Sequence, residues 1–500
     1  MKLSLNLKRL GIDTHNEAVI YMRRDCEICI SEGFSALARI RVTLGEKSII
    51  ATLNTIENEI LHHNEASLSE YAWKLLGAND GDKIFLAHPK PLHSLSFVRS
   101  KIYSNTLTEQ QIKAIIVDVV AGRLSEIHIS AFVTACASGR LNGDEIAWLT
   151  KAMVETGEKL SWDSELVVDK HCVGGLPGNR TTPIIVSIVT SFGLTMPKTS
   201  SRSITSPAGT ADTMEVLAPV ELDMKTIKKI VAQEGGCIAW GGGVELSPAD
   251  DILIHVERAL DIDSEGQMVA SILSKKIAAG SNHVVIDMPI GPTAKIRNME
   301  VAMLLKDYLE DTGERLGIKV KVVFTEGFEP VGRGIGPALE ARDVLSVLKC
   351  EKDAPQDLRD HALVLAGQVL EFSSKVKKGE GKNIATEILD SGKAWEKFQA
   401  ICKAQGGMRE IPESKFTHQH LAKKDGKMLS IDTRRIAILA KLAGAPESKA
   451  AGIDLHVSLG QEVAKGETLF TLHSESKGEL EYALSYLEES NEIIQIQSAE

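Results

Sequence analysis

Two glycine- and hydroxyl-rich stretches of this 500-residue chain hold the side chains best suited to gripping an oxyanion. The first, residues 169–182, reads D-K-H-C-V-G-G-L-P-G-N-R-T-T. Its lysine brings charge, its glycines expose backbone N–H groups, and its threonines enter a helix whose dipole adds positive potential. The second, residues 199–212, reads T-S-S-R-S-I-T-S-P-A-G-T-A-D, with seven hydroxyl side chains among fourteen residues, one arginine, and Gly-Thr just ahead of another helix. Either stretch alone would pass for a polar turn, but two in succession point to anion binding. Neither has the G-x-x-x-x-G-K-[ST] spacing of a triphosphate loop, which disfavours ATP use.

The elements that must position these loops follow from the apolar runs. Residues 166–168 predict a strand before the first loop and a helix from Pro183. Residues 194–196 predict a second strand, followed by a helix from Ala211. Repeated strand–loop–helix units argue for an α/β domain whose ligands gather at the carboxyl ends of the strands. Thr108 and Gln111 form a capping box ahead of a core stripe at Ile112, Ile115, Ile116 and Val119. The expected fold is multidomain α/β. Residues 1–85 form an N-terminal β-barrel module, and 90–160 plus 248–280 a helical domain hinged to a large α/β domain of 161–247 plus 281–420. Residues 421–500 form a C-terminal α+β region with a biotinyl/lipoyl-like hammerhead that lacks a lysine for a prosthetic group. A glycine-rich turn, Gly332-Arg333-Gly334-Ile335-Gly336, opens a further helix.

A net charge of −11 gives no global pull toward a nucleic-acid polymer, so an anionic substrate needs a local positive pocket. Seven dispersed cysteines fit reduced thiols in the cytoplasm, and Cys26 and Cys29 read as ordinary thiols. The first residues hold no apolar core of signal-peptide length, and no run is long enough to span a bilayer.

The two loops, together with Ala270-Ser271-Ile272-Leu273-Ser274-Lys275-Lys276, resemble the thymidine/pyrimidine-nucleoside phosphorylases and their relatives the AMP phosphorylases. The resemblance covers about residues 90–490, and the S-x-R…A-G-T-x-D-x-x-E run carries it most specifically. The N-terminal module, L-P-G-N and S-S-R-S-I-T-S look like the AMP phosphorylase branch. It implies a homodimer or higher homo-oligomer that cleaves an N-glycosidic bond with inorganic phosphate as co-substrate and needs no cofactor or metal. It also implies that Lys170, Cys172, Thr182, Ser200 and Thr210 hold phosphate. Gly175, Ser201, Arg202, Ser203, Ile204, Thr205 and Ser206 would line the substrate pocket. Ser271 and Lys275 would reach the base, and Lys295 would make a further ligand contact. Asp263 matches the proton donor of the AMP branch, and His171 is the other catalytic candidate.

One departure bears on the substrate. Thymidine phosphorylases place an arginine about fifteen residues before the serine matching Ser271; here that count lands on Val256, with Arg258 nearby. That departure counts against thymidine, while Asp263, the Ser201–Ser206 loop and Lys295 match the AMP branch, so the resemblance implies a nucleoside 5′-monophosphate such as AMP as favoured substrate, with thymidine as the alternative. Arg202 and its neighbouring hydroxyls are the expected clamp on the 5′-phosphate. An anthranilate-type phosphoribosyltransferase, with Asp250-Asp251 as a metal pair, a non-enzymatic phosphate or nucleotide sensor, and a lipoyl-type carrier are the remoter readings.

Overall fold

The computed structural model describes residues 4–203, 206–244, 246–262, 264–490 and 493–498. The chain folds as two compact units. The first comprises Met1–Thr156 with Pro248–Gln267, the second Gly157–Ser247 with Met268–Glu500.

The first unit opens with six strands, β1 (Ser4–Leu7), β2 (Val19–Arg23), β3 (Arg39–Leu44), β4 (Lys47–Ile56), β5 (Glu65–Leu68) and β6 (Lys83–Ala87), closed as a barrel in the order β1-β5-β2-β4-β3-β6. Two short helices, α1 (Glu27–Glu32) and α2 (Glu70–Leu76), pack on its core, Cys26 capping the first with its thiol. Helices α3 (Ser94–Ile102), α4 (Glu109–Val120), α5 (Glu126–Cys136) and α6 (Gly143–Glu155) follow. The Thr108–Gln111 box closes reciprocally, with bonds of 2.9 and 3.4 Å, and turns the predicted apolar stripe of α4 inward. Helix α10 (Pro248–Leu260) returns to pack on α4 and α5.

The second unit carries both loops. Strands β7 (Val168–Cys172), β8 (Met196–Ser200), β9 (Gly236–Trp240), β10 (His283–Ile290) and β11 (Lys319–Glu326) pair in parallel as β11-β10-β7 and β8-β9. A bridge between Val167 and Thr195 joins the two sets. Helix α7 (Thr182–Phe192) links β7 to β8, and helices α8 (Thr210–Leu217) and α9 (Met224–Glu234) link β8 to β9. Helix α7 is apolar on all sides because it is enclosed, its valines and isoleucines lying in one core with α13 (Pro337–Leu348) and α14 (Gln356–Leu370).

Both strands run further than their apolar residues predict. Register pairs Val168 with His283 through Cys172 with Asp287, and Met196 with Gly236 through Ser200 with Trp240. Lys170, His171 and Cys172 are therefore strand residues, and consecutive ones face opposite sides of the sheet.

Residues 248–280, expected to lie together in the helical domain, divide between the units within helix α11 (Glu265–Ala278). The later turns stay with the second unit. Ala278 and Ala279 join a core with Leu160, Ile227 and Ile230, and Trp162 donates to the Ala279 carbonyl at 2.8 Å. The rest of the second unit comprises α12 (Met299–Leu316), the short β12 (Gly334–Ile335), α15 (Gly381–Asp390) and α16 (Lys393–Ala404). Beyond these, antiparallel strands and two further helices enclose a separate core.

Candidate active site

Alternation along β7 divides the site into two charged nests. On one face Lys170 Nζ donates to Thr181 Oγ1 at 2.9 Å and lies 3.5 Å from Asp287. Asp287, on β10 beside Cys172, also accepts from Asn179 Nδ2 at 3.2 Å and Thr325 Oγ1 at 2.7 Å, with His361 Nε2 3.2 Å away. Burial works against the charge on Asp287, but Lys170, His361 and Thr325 outweigh it and hold the carboxyl far below its ordinary range. Burial, reinforced by Asp287, pushes the Cys172 thiol up to about 12, so it stays protonated at neutral pH.

On the other face sit Asp169 and His171. Asp169 Oδ1 takes Lys198 Nζ at 3.1 Å and Oδ2 takes Lys276 Nζ at 2.7 Å, while Lys198 also donates to the Lys170 carbonyl at 2.8 Å. Burial opposes ionisation of Asp169, yet the two lysines keep its carboxyl below the usual range. Burial pulls Lys198 down, and although Asp169 resists, neighbouring Lys276 adds to the fall. Burial first, then Lys276, Lys198, Lys275 and Lys170, drive His171 well below the ordinary imidazole value, so it is neutral at physiological pH. Three lysines thus pair with two buried carboxylates, and a fourth, Lys275, lies near His171, a concentration of cationic side chains suited to receiving an anion.

The first loop is shaped by close approach. Gly175 has φ +83°, and a Cβ there would lie 2.7 Å from the backbone nitrogen of Lys295. Lys295 and the first loop are therefore in direct contact. Thr182 opens α7 behind the cap residue Thr181.

The second loop is held by its own ion pairs and hydrogen bonds. Arg202 bonds Glu215 through both terminal nitrogens at 2.7 and 2.8 Å, reaches Glu221 at 3.0 Å and Asp212 at 3.4 Å, and lies over the Trp240 ring. The bonds to Glu215, the largest effect, raise the guanidinium pKa further, and the same pair pulls Glu215 down to about 2. A guanidinium engaged by three carboxylates holds the loop in shape. Asp212 Oδ2 accepts from Ser203 N at 2.6 Å and Gly209 N at 2.9 Å, drawing the ends of the loop together. Ser203 and Ser206 hydroxyls donate to the loop's own carbonyls, of Ser206 and Ala208. Ser200 ends β8, Ser201 follows it, and Thr210 begins α8.

Ser271 and Lys275 lie one turn apart on α11 and are joined by a 3.2 Å bond from Lys275 Nζ to Ser271 Oγ. Asp263, Ile204 and Thr205 lie outside the described residues. Asp250 begins α10 and is buried. Among the described residues no group of three or more His, Cys, Asp or Glu side chains is placed to hold a metal ion, and no helix is long and apolar enough to cross a membrane. Lys198, Asp287 and His361 join these charged nests from outside the quoted motifs, while Thr181 and Lys276 lie within them but were given no role. The one local signal was the Lys275-Lys276 pair, since adjacent helix positions point in different directions.

Gly209 supplies a test of loop geometry. A Cβ there would lie 2.6 Å from Arg202 C and Ser203 N and 2.8 Å from Ser201 O, all backbone atoms that cannot swing aside. Gly209→Ala is expected to cost about 1–3 kcal/mol of stability. It should also lower kcat/KM for phosphate by up to about 10²-fold through displacement of the loop. Thermal unfolding and phosphate-dependent kinetics read the two effects; a variant normal in both would show the loop to be pliable.

The chain matches three family descriptions in order. These are the glycosyl transferase family helical bundle domain over residues 95–157, the glycosyl transferase family a/b domain over 164–395, and the pyrimidine nucleoside phosphorylase C-terminal domain over 428–494. A protein of Legionella pneumophila (strain Corby) named "Putative thymidine phosphorylase" is 62% identical over 98% of this chain and 95% of its own length. Proteins of the same name from Polaromonas sp. and Hahella chejuensis are 56% and 55% identical over 98% and 99% of this chain, and 96% and 98% of their own. The chain belongs to the thymidine/pyrimidine-nucleoside phosphorylase family. It is an enzyme, a nucleoside phosphorylase of the pentosyltransferase class. Anthranilate phosphoribosyltransferase from Thermus thermophilus shares the fold, with a TM-score of 0.52 at 20% identity over 62% of this chain and 98% of that one.

Proposed function

We propose that this phosphorylase cleaves a nucleoside 5′-monophosphate, AMP foremost, giving free base and ribose 1,5-bisphosphate. The observation that carries the choice is Val256. At the spacing where thymidine phosphorylases hold an arginine for the base carbonyl, this chain has a valine buried in α10, and neighbouring Arg258 is exposed at the helix end. An oxygen of orthophosphate bonds to the anomeric carbon as the C–N bond breaks, and the departing base takes a proton. Fixing phosphate in line is worth on the order of 7–11 kcal/mol of barrier. The four-lysine cluster supports this role for phosphate, with no metal or organic cofactor required. The 5′-phosphate is assigned to Ser201, the loop through Ser206, and Lys295, with Arg202 bracing that loop from behind. A homo-oligomer in the cytoplasm completes the reading.

The relatives' names favour thymidine as a second reading. Base release from AMP, other nucleoside monophosphates and thymidine, with and without phosphate, decides between them. Phosphate-dependent release from AMP well above that from thymidine is expected. The opposite order would return the enzyme to thymidine.

A further inference from the structure

Arg180 and Glu340 form a buried ion pair, with Arg180 Nε 2.6 Å from Glu340 Oε2. The pair ties together three segments of the second unit. Arg180 belongs to the first loop, and its Nη1 donates to Thr210 Oγ1 at 2.8 Å and its Nη2 to the Ala208 carbonyl at 2.8 Å, both in the second loop. Glu340 lies in the first turn of α13, the helix opened by the glycine-rich turn, and accepts from Thr213 Oγ1 at 2.9 Å. The first loop rests on that same turn, since a Cβ on Gly178 would lie 2.4 Å from Val331 O and 3.1 Å from Gly334 O.

We propose that Arg180 is a positioning residue for the phosphate co-substrate, acting through the hydroxyl of Thr210. A threonine hydroxyl has one proton to give and two lone pairs to accept with. By donating to Thr210 Oγ1, the guanidinium fills one lone pair and leaves the proton free to point at the anion. Glu340 fixes the guanidinium in the orientation that does this, and the bond to Ala208 sets the spacing between the loops. The glycine-rich turn thereby gains a role: it delivers Glu340 to the back of the phosphate site. This inference rests on Thr210 contacting phosphate.

A double-mutant cycle on the full-length enzyme tests it, reading the KM for phosphate, the KM for the nucleotide and the binding of inorganic phosphate by calorimetry. Arg180→Lys keeps a cation beside Glu340 but loses the planar fork. It should raise the KM for phosphate about ten-fold or more, with the nucleotide KM and the unfolding temperature little changed. Thr210→Val should do the same, and the combined variant should be no worse than the poorer single one, because both remove one bond. Arg180→Met alone would strand Glu340, whose carboxyl burial already pushes up against the pull of Arg180. If Arg180→Lys does not fold, Arg180→Met paired with Glu340→Met removes both charges and is expected to fold, with the same phosphate defect. Multiplying losses in the cycle would overturn the proposal, as would a normal phosphate KM in Arg180→Lys beside a raised one in Thr210→Val. A normal phosphate KM in Thr210→Val would instead remove Thr210 from the phosphate site, and the proposal with it.

Discussion

Lys170→Ala is expected to lower kcat/KM for phosphate by about 10²–10³-fold, the usual scale for losing one preorganised donor to a developing or bound oxyanion. It is also expected to destabilise the fold, which the motif alone would not suggest. Lys170 is the ammonium partner of Asp287, and both side chains are almost wholly buried. Removing one member of such a pair typically costs about 3–5 kcal/mol, because the other charge is left behind. Asn179, Thr325 and His361 still surround Asp287, so the lower end applies. The two losses separate. Adding Asp287→Asn removes the stranded charge and should recover most of the stability without recovering activity. A pH series checks the cause. A carboxyl depressed in the folded state contributes stability that is complete above its unfolded pKa and is lost as pH falls through its folded one. Without Lys170 that depression shrinks, so the stability gap between wild type and variant should hold steady down to about pH 4, the unfolded carboxyl value, and narrow below it. A gap independent of pH, or activity restored by Asp287→Asn, would mean that Lys170 is structural.

The placement of the two loops was legible because an apolar run precedes each glycine- and hydroxyl-rich stretch and a helix follows it. What lay behind them was not. Lys198 sits in a five-residue strand and Asp287 in the middle of another, and a charged residue at such a position normally reads as a solvent-facing one. Only the parallel neighbours reveal that both point into the core, where they find Asp169 and Lys170. Arg202 shows the converse. Its local sequence advertises a free guanidinium, but Glu215 and Glu221 lie a helix turn or more downstream and fold back onto it. Pairing across such a distance depends on the angle at which α8 leaves the loop, which no local pattern encodes. The same holds for the strand ends. Apolar residues marked where β7 and β8 begin, whereas register with β10 and β9 determines where they stop.

The identity of the general acid carries the second large effect. His171 is half-buried, and desolvation with four lysines nearby keeps its imidazole neutral through the physiological range. A neutral imidazole can donate a hydrogen bond, but the proton it would have to surrender is far less acidic than that of an imidazolium. On the AMP reading proposed above, the departing base is protonated by Asp263 instead. Asp263→Asn is expected to lower kcat by about 10²–10⁴-fold while leaving the nucleotide KM near normal. It should also abolish the fall in kcat as pH rises through the pKa of the acid. His171→Gln should cost less and leave the pH profile of kcat in place. Its signature lies in stability instead. With the folded pKa of His171 lowered, the unfolded chain takes up a proton below about pH 6.5 that the folded chain refuses. Wild type therefore loses up to about 1.4 kcal/mol per pH unit from this residue as pH falls from 6.5, and the glutamine variant does not. Denaturant unfolding at pH 7.5 and 5.5 should show the variant gaining relative to wild type at the lower pH. A His171→Gln enzyme that loses more activity than Asp263→Asn, together with the pH dependence of kcat, would make His171 the acid and require its neighbouring lysines to be neutralised by the bound phosphate.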